Sequence, residues 1–139
     1  MQTAIFLIIG GAIFGALGLL HGLYTYLDTK RPRRLAPDNP EVIAHMSSSF
    51  VRLSRGGSTM WRAWLGFNFS HSLGAILFCV MCIFLALNLP NLALPKAALL
   101  FPVIIGLIYF WLAIQYWFYI PATGIALGTI CLFAAWLVY

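Results

Sequence analysis

Four apolar runs of about 20 residues each divide this chain, and no water-soluble fold can bury all of them. At a rise of 1.5 Å per residue, a helix of that length matches the ~30 Å hydrocarbon layer of a bilayer. Inside lipid the backbone has no water to bond to, so each run must form a helix that satisfies its own amides and carbonyls. Composition agrees: 63% of the residues are hydrophobic and 8% are charged, too few to cover a soluble surface. The expected fold is an all-α integral membrane bundle of four up-and-down helices, about 3–27, 60–87, 96–119 and 122–139. Residues 1–139 then form a single domain.

Every lysine and arginine except Lys96 falls between Lys30 and Arg62. Basic loops stay cytoplasmic, so the loop 28–59 should face the cytoplasm and both termini the outside, as in a bacterial-type inner membrane. The formal net charge of +5 is therefore no signature of nucleic-acid binding. It places cations beside the bilayer, where anionic lipid head groups attract them. The N-terminus lacks the positive start of a cleavable signal, because its charges follow the apolar run instead of preceding it. Cys79, Cys82 and Cys131 all lie in apolar runs, where no disulfide framework is expected.

Small residues mark the expected packing faces. Gly11, Gly15, Gly18 and Gly22 recur at steps of four, three and four on the first helix. At about 100° per residue they form one stripe that lets another backbone come close. Gly124 and Gly128 form a second, shorter one. Packing within the bundle is the first use for such faces; contact with a second copy, or with a larger membrane complex, is the other.

In the loop, Asn39-Pro40-Glu41 has the form of a helix start: a capping side chain, proline in the first turn and an acid near the positive end. Val42, Ile43, Met46, Phe50 and Leu53 then predict a short amphipathic helix, about 40–55, lying in the cytoplasmic interface. Trp61, Trp64, Tyr116, Trp117 and Tyr119 mark the inner aromatic belt, Trp136 and Tyr139 the outer one.

Chemistry has few places to reside. Away from their ends the runs hold no lysine or arginine and no carboxylate, which disfavours a charge-paired ion path and most acid–base enzymes. His21 and His71 are the ionisable side chains well inside them. His21 nears the inner end of the first helix and His71 lies about two turns past Trp64 on the second, so both are expected in the cytoplasmic third. Asn68, three residues before His71, shares its side. Gln115, near the inner end of the third helix, reaches the same level, with Tyr24, Ser72 and Thr123 nearby.

Four readings of this polar layer follow. His21, Asn68, His71 and Gln115 could bond one another and join helices. They could bind an amphipathic ligand such as a quinone or a lipid head group. His21 and His71 could be axial ligands of haem b, with arginines pairing the propionates. Finally, Cys79 and Cys82 form a C-x-x-C, yet no charge stabilises a thiolate there, and packing explains them more simply. The function expected is a non-enzymatic membrane subunit or a small-ligand or lipid-binding protein. The alternative is a small membrane redox protein or enzyme with haem or quinone. The topology is testable: a reporter that works only in the cytoplasm should be active in the 30–58 loop and silent at the C-terminus. The reverse pattern would place both histidines in the outer third.

Overall fold

A computed structural model describes all residues from Met1 to Tyr139. The helices are α1 (Gln2–Lys30), α2 (Pro40–Ser48), α3 (Met60–Leu92), α4 (Leu100–Tyr116) and α5 (Tyr119–Leu137), with 3₁₀ turns at Arg52–Ser54 and Lys96–Leu99. Four stretches are long and apolar enough to cross a membrane: α1, α3, α4 with the turn that leads into it, and α5. Their outward sides are as greasy as their inward ones. Leu19, Leu23, Leu77, Ile104, Leu127 and Ile130 are each at least half exposed. The chain packs as two compact units, Met1–Leu17 with Ala75–Tyr139, and Gly18–Gly74.

In the first unit, α1 buries a stripe with steps of three and four: Thr3, Leu7, Gly10, Gly11, Phe14 and Gly15. The glycines are there because side chains would not fit. A Cβ added at Gly11 would stand 2.6 Å from Cβ of Cys82, and one at Gly15 would stand 2.7 Å from Sγ of Cys79. The C-x-x-C thus has a packing role: its two small side chains fill the groove that the glycine stripe opens. On the adjoining face, a Cβ at Gly10 would stand 2.9 Å from the carbonyl oxygen of Gly128, and one at Gly124 would lie 3.0 Å from Leu17. Both small-residue faces are therefore used within the chain. Phe14 seals the centre, edge-on to Phe78 at 4.9 Å and to Tyr109 at 5.8 Å between ring centroids. At one end Lys96 donates through Nζ to a terminal carbonyl of α5 (Leu137 O, 3.2 Å), and the Tyr139 hydroxyl donates to Leu94 O (2.8 Å).

Three boundaries differ from expectation, each for a local reason. α3 does not stop at Asn88. The Asn88 amide donates back to Phe84 O at 2.8 Å, and the helix runs through Pro90 to Leu92, where Ala93 turns out at φ 40°. The turn between α4 and α5 falls at Trp117-Phe118 and not at Ile120-Pro121. Pro121 lies in the first turn of α5, where its missing N–H removes no helical bond. In the second unit, α2 starts as expected, with Asn39 Oδ1 accepting from Glu41 N at 2.9 Å. It ends at Ser48, well short of residue 55. Hydroxyls of Ser47 and Ser48 bond to carbonyls of the preceding turn, and Phe50 pairs with Thr59 in an antiparallel bridge that turns the chain back. None of the residues of α2 is buried, and Leu53 is 93% exposed.

Gly11→Ala should lower stability in detergent by about 1–3 kcal/mol through forced separation from Cys82. Gly66→Ala, with nothing within 4 Å of the new Cβ, should be neutral or mildly stabilising. Equal effects of the two in a thermal or denaturant titration would refute close packing as the reason for the stripe.

Candidate functional site

The second unit brings His21 of α1 to Asn68 and His71 of α3. Asn68 is buried, and its two amide atoms have distinct tasks. Nδ2 donates to Trp64 O at 2.8 Å, a carbonyl that can only accept, so the amide must turn Oδ1 toward His21. Nε2 of His21 lies 2.8 Å from that oxygen. His21 therefore carries a proton on Nε2 and, when neutral, a lone pair on Nδ1. The His71 ring stands edge-on to it, with centroids 5.2 Å apart and planes at 68°. Both imidazoles are partly buried.

Small hydroxyls hold the backbone around this cluster. Thr25 Oγ1 donates to His21 O (2.8 Å) and Ser72 Oγ to Asn68 O (2.9 Å), both from buried positions. A Cβ at Gly22 would meet Ser72 at 3.4 Å, so the backbone of α1 lies near α3 where the polar bond forms. Three of the four residues expected in the polar layer are thus in direct contact. Gln115 is exposed on α4, next to exposed Ile114 and Tyr116. Thr123 bonds its own helix at Ile120 O, and the Tyr24 ring lies under the Arg34 guanidinium at 5.3 Å.

The arrangement constrains the cofactor. A haem held by His21 and His71 would need its macrocycle between the two rings and a free ring nitrogen on each facing the iron. Here the rings touch edge to face and Nε2 of His21 is bonded to Asn68, so a bis-histidine haem does not fit. No three side chains of His, Cys, Asp or Glu gather to hold a metal ion. What the cluster offers is hydrogen bonding: an acceptor at His21 Nδ1 beside a second imidazole, in apolar surroundings.

Sequence reasoning passes over one residue, Asp28, at the end of α1. It is 2% exposed, and its carboxylate accepts four successive backbone amides. Arg33 N and Arg34 N bond Oδ1 at 2.9 and 3.0 Å, and Leu35 N and Ala36 N bond Oδ2 at 2.7 and 3.0 Å. A lone acid just ahead of a proline-broken basic run is the signal, since aspartate readily captures amides of a following turn. Comparison with protein-family models, with curated proteins and with solved structures finds no match for this chain.

Asn68→Leu should leave the Nε2–H of His21 without its acceptor and lower stability by about 1–2 kcal/mol. In ¹⁵N spectra of the imidazoles, neutral His21 should show the Nε2-protonated form, and the variant should lose that preference. An Nδ1-protonated ring in the unaltered protein would overturn the tautomer assignment.

Proposed function

We propose that this chain is a non-enzymatic, multi-pass membrane protein that binds a small amphipathic ligand or lipid through His21, Asn68 and His71. In this reading the four long helices run up and down through the membrane with both termini outside. The loop is cytoplasmic, as the clustering of cations implies. The apolar stripe of α2, with Val42 exposed and Ile43 and Met46 partly so, then rests in the interface.

The observation that carries the reading is the fixed Asn68 amide. By holding Nε2 of His21 as a donor, it leaves Nδ1 to accept from a ligand hydroxyl or amide, with His71 adjacent. A few oriented polar groups in apolar surroundings suit a molecule with one polar end and a greasy body. The rest of the chain supports binding over catalysis. Both oxygens of Asp28 bond the backbone, and Cys79 and Cys82 pack against glycine. Glycine faces occupied inside the chain leave a homo-oligomer or a larger complex to form through other surfaces. Quinone is the redox variant of the same site.

Native mass spectrometry of protein taken gently from its own membranes, with an absorbance spectrum, tests this. A bound lipid-sized mass should persist in His45→Ala and fall about tenfold in His21→Ala or His71→Ala, as for loss of one hydrogen bond in an apolar site. A quinone spectrum would favour the redox variant. A bare chain under every condition would leave the cluster as a helix-joining bond and sink the proposal.

A further inference from the structure

The buried Asp28 carboxylate organises a second place on the molecule. By gathering the amides of residues 33–36 it folds the chain back over the end of α1, and the fold leaves an open cavity of about 610 Å³. Leu27, Lys30, Arg31, Arg33 and Arg34 line it. Two of these cations are held by aromatic faces. Nζ of Lys30 lies 4.7 Å from the centre of the Tyr26 ring, and the guanidinium of Arg34 lies 5.3 Å from that of Tyr24. Four cations thus line one space, no acid lines it, and both oxygens of the adjoining Asp28 are turned to backbone amides.

We propose that this cavity is a discrete site for the phosphate-bearing head group of an anionic phospholipid. The proposal rests on the reading that α1 crosses the bilayer with this end cytoplasmic, and it concerns a different place from the histidine cluster. Guanidinium groups present paired N–H donors that match two phosphate oxygens, and three of the four cations are arginines. One carboxylate ligand would leave most of that charge unanswered, whereas a phosphodiester accepts from several donors. Leu27 gives the wall an apolar patch at the end of an apolar helix, where the glycerol and upper acyl chain of a lipid would lie. Anionic lipids are concentrated at the cytoplasmic leaflet, so the site faces its ligand.

The site differs from general attraction to a basic loop in one testable respect. General attraction depends on the number of charges, so removing the negative charge of Asp28 should strengthen it. A built site depends on the fold of the loop. In Asp28→Asn the amide nitrogen would point donors at backbone N–H groups that need an acceptor, the loop would loosen, and binding should weaken although the net positive charge rises.

The experiment is a native mass spectrometry titration of the whole 139-residue chain in detergent with phosphatidylglycerol or phosphatidylcholine. One phosphatidylglycerol should be retained per chain in preference to phosphatidylcholine. The double change Arg33→Gln with Arg34→Gln should reduce retention about tenfold, Asp28→Asn about fivefold, and Arg52→Gln with Arg55→Gln less than about twofold. Circular dichroism and elution volume confirm that each variant is folded, and the two arginine pairs carry the test if Asp28→Asn is not. Equal effects of the two pairs, or tighter binding in Asp28→Asn, would reduce the cavity to a diffuse basic surface and overturn the proposal. Displacement of the lipid by excess inorganic phosphate, with equal retention of both lipids, would assign the site to a soluble anion and also overturn it. Release of the chain from native membranes by alkaline carbonate would instead strike the membrane reading beneath it. A chain that stays embedded without lipid preference refutes this inference alone.

Discussion

Close approach of helix backbones is the interaction on which the rest of this molecule depends. In lipid no hydrophobic force drives one apolar helix onto another, because the surrounding chains are equally apolar. Association then relies on dispersion contacts, which fade within an ångström of extra separation. Gly11 and Gly15 let Cys82 and Cys79 come within that range in one unit, and Gly22 brings Ser72 close in the other. The hydrogen bond of His21 to Asn68 depends on the same closeness, since 2.8 Å between short side chains requires near backbones.

Such a scaffold leaves few polar groups, and almost all have a structural partner. Hydroxyls of Thr25, Ser72 and Thr129 return to carbonyls one turn back on their own helices. Asn68 joins two helices with one amide, and Asp28 completes a loop with one carboxylate. Where a polar side chain is fully engaged, as at Asp28, it shapes the backbone; the proposed role of His21 rests on its engagement through Nε2.

The four long helices are legible in the sequence because length and apolarity alone decide them. The start of α2 is legible from Asn39-Pro40-Glu41, a local capping pattern. Its end is not, because Ser47, Ser48 and the Phe50–Thr59 bridge act together to stop a run that still looks amphipathic. Pro90 and Pro121 look like punctuation, yet one lies inside a helix and the other in a first turn, since proline tolerates both when neighbours satisfy the backbone. For the candidate site, depth and helical spacing anticipate the pairing of His21 with Asn68 and His71. They do not anticipate the exposed position of Gln115, because depth along a helix says nothing about which way a side chain points.

The sequence by itself determined four helices long and apolar enough to cross a membrane, the clustering of cations between the first two, and the small-residue faces that allow tight packing. These follow from period, length and charge, which act locally. Only the tertiary structure decided that Cys79 and Cys82 fill the glycine groove, that Asn68 sets the tautomer of His21, and that His21 and His71 touch too closely to hold a haem between them. It alone decided that Asp28 turns inward to the 33–36 amides and leaves four cations around a cavity. Those outcomes depend on which side chains meet across helices and loops, and no local pattern encodes that distance.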